Sequence, residues 1–146
     1  MRILPFLKNS TFYFLVIFAG TFLQVYWAMG FLSDNTSSHC LECSFFEDIF
    51  LYSILTGILL SLIFSFISKI NNRFLKIAAE LFFTAATWFF WNYEIFVDRE
   101  SSWSTYLLTE ELFATLYCSL FPILTMSVLV IFIINYRSIL KRNETS

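Results

Sequence analysis

Residues 49–68 read IFLYSILTGILLSLIFSFIS, twenty residues without a charge, and this stretch decides the fold. A helix needs about 20 apolar residues to cross a hydrocarbon core roughly 30 Å thick. Three more apolar stretches, residues 11–32, 77–97 and 112–136, lie on either side of it. Together they predict an all-α integral membrane protein, one domain of four transmembrane helices filling residues 1–146. The connections hold roughly 16, 8 and 14 residues, so neighbouring helices are expected to run antiparallel in an up-down-up-down bundle.

Basic residues in short connections are retained on the cytoplasmic side. Arg2 and Lys8 precede the first stretch, Lys69, Arg73 and Lys76 separate the second from the third, and Arg137, Lys141 and Arg142 follow the fourth. Only Arg99 falls in the other connections, so eight of nine basic residues share one side and both termini are expected in the cytoplasm. The two outer loops are acidic, with Asp34, Glu42, Glu47 and Asp48 in one and Asp98, Glu100, Glu110 and Glu111 in the other. A plasma or bacterial inner membrane is the expected location, with the lipid bilayer as first partner.

Composition agrees: 58% hydrophobic, 21% aromatic and 14% charged is more apolar surface than a soluble domain of this size hides. The first stretch exceeds a signal-peptide core and shows no small-residue cleavage site before its polar loop, so it is read as retained. Tyr26, Trp27, Trp91, Tyr93, Trp103 and Tyr106 gather toward the outer boundary, where amphipathic rings anchor helices. A net charge of −2 with scattered basic residues speaks against nucleic-acid binding.

Membrane helices approach where small residues let backbones close, and polar side chains bond between them. Gly20 and Gln24 in the first span, Gly57, Ser61 and Ser65 in the second, and Thr115, Ser119 and Pro122 in the fourth are the expected packing positions, with Pro122 expected to kink its helix. Thr109, ahead of Glu110 and Glu111, reads as the last helix's N-cap, and residues 101–108 as a segment lying along the interface.

In the third span Glu80, Thr84, Thr87, Trp91, Glu94 and Asp98 recur at four- and three-residue steps and share one helical face. Ionisable residues within a span are functional candidates. Glu80 stands four residues after Lys76 and can pair with it, or reach the boundary; Glu94 lies within the outer aromatic belt.

One cluster carries chemistry: His39-Cys40-Leu41-Glu42-Cys43, followed by Glu47 and Asp48. Two cysteines so spaced can close a disulfide, switch redox state or supply two metal ligands with His39 as a third. In an oxidising compartment the disulfide is the default. No other motif for phosphate binding, hydrolysis or zinc chemistry appears, and no cofactor is expected.

A four-helix membrane protein with both termini inside and Cys-x-x-Cys just beyond helix one resembles the quinone-linked disulfide-generating oxidases of the DsbB family. That resemblance implies that Cys40 and Cys43 pass electrons to a quinone, while a second cysteine pair in the other outer loop serves a soluble partner. Here the second outer loop holds no cysteine, Cys118 belongs to the fourth span, and residues 44–48 lack the arginine that follows the motif in that family.

Three functions are therefore compatible with the chain. The leading expectation is a protein that acts through interaction in the bilayer, as an accessory or assembly subunit or an immunity-type protein, with a membrane-protein partner or as a homo-oligomer. Thiol-disulfide exchange at Cys40 and Cys43 is the alternative. Transport or ion handling through Glu80 and Glu94 is a third.

Overall fold

A computed structural model describes the backbone of residues 3–143 and the side chains of residues 10–136. Of the basic residues used for orientation, Arg2, Lys8, Arg137, Lys141 and Arg142 lie outside the described side chains. The described chain is all-helical: α1 (Ile3–Met29) ends in a 3-10 turn at Gly30–Leu32, and α2 (Phe45–Ile67) follows. Next come α3 (Arg73–Arg99), a second 3-10 turn at Ser101–Trp103, and α4 (Leu108–Asn143). All four helices are long and apolar enough to cross a membrane.

Cross-helix contacts give the directions. Phe18 meets Phe50 and Tyr26 meets Phe46, so α1 and α2 are antiparallel. Asn135 reaches Glu80 and Tyr93 reaches Glu111, so α3 and α4 are antiparallel as well. The long connections 33–44 and 100–107 therefore share one end of the bundle, here named the loop face. The Asn71-Asn72 turn lies at the other, the turn face. Asn72 caps α3 there by accepting from the amides of Phe74 and Leu75.

Small residues set the helix spacing. A Cβ placed on Gly20 would stand 2.5 Å from Val130 Cγ2 of α4, and one on Gly57 would stand 2.8 Å from Phe14 Cδ2 of α1. Ser61, Ser119 and Pro122 are buried and Ser65 is half-buried. α4 continues through Pro122 without a break in its helical assignment. Leu, Phe and Tyr side chains stand exposed all around the bundle, including Leu59, Phe82, Phe90, Phe121 and Phe132, an apolar surface of the kind a membrane-spanning bundle presents.

The interior has two apolar layers. Ile17, Leu60, Phe64, Trp88, Ile131 and Ile134 pack toward the turn face, and Val25, Met29, Phe45, Ile49, Ile95 and Phe96 pack toward the loop face. Buried polar residues lie between them on three helices: Thr21 and Gln24, Ser53 and Thr56, and Asn92. Trp88 Nε1 donates to Thr21 Oγ1 at 2.8 Å within this belt.

One local expectation is corrected. Thr109 lies inside α4, not at its N-cap: the helix starts at Leu108, and the Glu110 side chain accepts from the Leu107 amide instead. Residues 101–108 begin as a 3-10 turn and continue as extended chain into α4, with Ser101 buried and donating to Glu111. The interior face of α3 is Glu80, Thr84, Trp88, Asn92, Ile95, Phe96 and Arg99. At about 100° per residue that face is turned roughly 80° from the polar stripe read in the sequence. Only Glu80 and Thr84 belong to both. Thr87, Trp91, Glu94 and Asp98 are half-buried on the flank toward α2, where Trp91 stacks on Tyr52 and donates to Thr56 at 2.7 Å.

Candidate functional site

The loop face is built around Arg99, the last residue of α3. Its side chain is 2% exposed and its guanidinium bonds two points of the first connection and the first turn of α2. Nη1 donates to the Asn35 carbonyl at 2.6 Å, and Nη2 donates to the Cys43 carbonyl at 3.3 Å and to Asp48 Oδ2 at 2.5 Å. The guanidinium also lies 5.4 Å from the centre of the Phe45 ring. Arg99 is thus an internal cation: its charge meets Asp48, and Nη1 and Nη2 meet carbonyls. Charge-assisted bonds of this kind are among the strong ones, and they bind two loops far apart in sequence.

Asp98, one residue earlier, holds the same loop at another place. Its Oδ1 accepts from the amides of Ser38 and His39 at 2.9 and 3.0 Å and from the Ser38 hydroxyl at 2.8 Å. His39 Nδ1 lies 2.6 Å from the same oxygen. The imidazole is exposed, and the Asp98 hydrogen bond, followed by the Asp98 charge, raises its pKa above 6.5. Farther along, Trp103 Nε1 donates to the Thr36 carbonyl at 2.9 Å, and the Asn35 amide donates to the Arg99 carbonyl and to Glu100. Asn35 is therefore engaged by its side chain and half-buried.

Cys40 and Cys43 are joined by a disulfide, with Cα atoms 5.3 Å apart and both residues half-buried. The turn they close is held independently: the Cys43 amide donates to the Cys40 carbonyl, the Cys40 amide to Ser37 Oγ, and Arg99 to the Cys43 carbonyl. Ser44 then opens α2 as a full capping box with Glu47. Cys43 consequently stands at the positive end of α2, beside Arg99. His39 is turned to Asp98, and no group of three or more His, Cys, Asp or Glu side chains converges among the described residues.

Between the two connections lies an open groove of about 600 Å3, lined by Asp34, Asn35, Thr36, Leu41, Arg99, Glu100, Trp103 and Ser104. Leu41, between the two cysteines, is 72% exposed and Trp103 is 58% exposed, so apolar surface is offered inside an acidic rim.

At the turn face Glu80 is buried. Asn135 of α4 donates to Glu80 Oε2 at 2.8 Å, and Lys76 Nζ lies 3.7 Å from Oε1. Lys76 was legible as a partner from its four-residue spacing; Asn135, a single amide in a long apolar run, was not. Glu94 is half-buried near the loop face, so the two carboxylates lie at opposite ends of α3. Asn92 and Arg99 are the residues that the sequence pattern missed. Asn92 was marked only by polarity four residues after Trp88, a signal that the stripe through Thr87 obscured, and Arg99 was marked by its charge but not by its burial.

Compared with known families, with characterised proteins and with solved structures, the chain matches none. Likeness to the DsbB family rests on helix number and on Cys40 and Cys43.

Proposed function

We propose that this chain is a four-span protein of a plasma or bacterial inner membrane, with cytoplasmic termini, that works by holding a protein partner at its outer face. The observation that carries this reading is the fusion of the two loops into one surface by Arg99, Asp98 and Trp103, which makes a fixed groove from otherwise mobile connections. Ordering the loops in advance lowers the entropic cost of docking. The rim carboxylates of Asp34 and Glu100 and the apolar Leu41 and Trp103 suit a basic segment carrying an apolar side chain. A photo-crosslinking residue placed at Ser104 in cells tests it. The expected result is a discrete protein adduct that disappears in the Asp34→Lys/Glu100→Lys variant and is not formed from the lipid-facing position Phe113. Equal adducts from both positions, or none from Ser104, would reject docking at the groove.

A second reading, thiol-disulfide exchange, is favoured by the redundancy of the Cys40–Cys43 bond in a turn already held by hydrogen bonds. A partner thiolate would attack one sulfur, forming a mixed disulfide and releasing the other as a thiolate. A second partner thiol then resolves it, and two electrons and two protons pass to the Cys40/Cys43 pair. Release at Cys43 would be assisted by the α2 N-terminus and Arg99. Reoxidation calls for a two-electron acceptor of the quinone class. Trapping of a mixed disulfide by Cys40→Ser or Cys43→Ser would favour exchange; a bond that stays oxidised in cells, with function retained in both variants, would remove it.

A further inference from the structure

We infer that the polar belt inside the bundle is a hydration site, in which Gln24, Asn92, Thr115 and Ser119 hold ordered water out of contact with the surface. All four residues are 0% exposed, and none of their side-chain polar atoms has a hydrogen-bond partner. The hydroxyls elsewhere in the helices behave differently. Thr21, Ser53, Ser61, Ser65, Thr84, Thr87 and Ser127 each donate to a carbonyl three or four residues back in their own helix. Thr115 and Ser119 do not, and they stand one turn apart on the same face of α4.

The three helices bring these residues to one region. Trp88 bonds Thr21, and because α1 and α3 run in the same direction, the next turn toward the loop face brings Gln24 and Asn92 level. α4 borders that layer, since Ala114 and Cys118 pack against the cluster of Val25, Ala28, Ile95 and Phe96. Pro122 has no N–H to offer the carbonyl of Cys118, four residues back and adjacent to Ser119, so that carbonyl lacks its usual helical donor. Two carboxamides and two hydroxyls without partners are thus presented to the bundle interior by α1, α3 and α4, in the layer between the two apolar clusters and at its edge toward the loop face.

A dry site of this composition is strongly unfavourable in a low-dielectric interior, where each unmet group costs about 1–3 kcal/mol. A water makes about three hydrogen bonds to such groups, so roughly two molecules meet most of the demand. Uncharged donors and acceptors in balance fit water better than an ion, which would want a compensating charge.

The test is nuclear Overhauser spectroscopy of the full chain in lipid nanodiscs, read at the side-chain amide protons of Gln24 and Asn92. Expected are cross-peaks to long-lived water at both carboxamides, with the Gln24 peaks at least halved in Asn92→Leu. Absence of water cross-peaks in the unmodified chain, or a direct bond between the two carboxamides in their place, would overturn the inference. Should Asn92→Leu not fold, Ser119→Ala removes one hydroxyl at small structural cost, and the unmodified spectrum remains decisive by itself.

Discussion

At the scale of single residues, Arg99 carries the largest consequences. Buried cations persist when partnered, and removing one partner of a buried pair costs on the order of 3 kcal/mol. Arg99→Met should therefore destabilise the chain by about that amount, since Asp48 would be left half-buried without its cation. Thermal unfolding in detergent measures it, and Arg99→Met combined with Asp48→Leu should recover part of the loss. Equal stability of Arg99→Met and the native chain would remove Arg99 from its central place. His39 supplies the pH dependence. Its pKa in the folded chain is raised above 6.5 by Asp98, so its contribution to loop docking is complete below that value. It fades as pH rises through the raised pKa, when the imidazole loses its proton. Hydrogen exchange at the Ser38 and His39 amides should accelerate beyond base catalysis alone as pH rises from 6.5 through the raised pKa, and Asp98→Asn should flatten that excess. Arg99 was visible in the sequence as the one basic residue on the wrong side. Its partners were not, because hydrogen bonds to the Asn35 and Cys43 carbonyls leave no mark in residue type.

At the scale of helices, four elements were legible because their apolar runs are longer than any soluble helix needs. The azimuth of α3 was harder. A polar stripe marks the interior of a soluble helix by its opposite, but in a membrane helix polarity points inward or to the flank, and α3 carries both kinds. Thr87 bonds its own backbone on the flank while Asn92 is buried, and hydropathy does not separate those fates. Packing at glycine was legible because only van der Waals contact draws apolar helices together in lipid, and it requires close backbones. Gly20→Ala puts a methyl 2.5 Å from Val130 Cγ2, so α1 and α4 must separate locally. A loss of about 1–3 kcal/mol is expected, largely relieved when Val130→Ala is added, since that change removes the clashing atom. Gly57→Leu should be worse and less easily rescued, because the obstacle includes the Phe14 backbone oxygen at 3.4 Å from the new Cβ as well as its ring. Steric trapping or detergent unfolding of the single and double variants reads both outcomes.

At the scale of the whole molecule, orientation follows from charge at insertion and not from the folded contacts. Lys69, Arg73 and Lys76 precede or open α3, and Arg99 closes it, so three cations on one side oppose one on the other across this helix. Arg99 is neutralised only after folding, when Asp48 reaches it, so during insertion it competes as a full charge and is outnumbered. The proposed orientation, with the turn face in the cytoplasm and the loop face outside, is the one that puts eight of nine basic residues on the cytoplasmic side. Single-cysteine labelling tests this in a chain carrying Cys118→Ser, with Cys40 and Cys43 closed as a disulfide. A membrane-impermeant maleimide should modify Ser104→Cys in intact cells and Asn71→Cys only after permeabilisation, both parent positions being exposed in the fold. The reverse pattern would place the acidic groove in the cytoplasm, where the disulfide would meet a reducing pool. Docking from outside and thiol exchange in an oxidising compartment would then fail together, while the bundle, its Arg99 lock and its polar belt would stand unchanged.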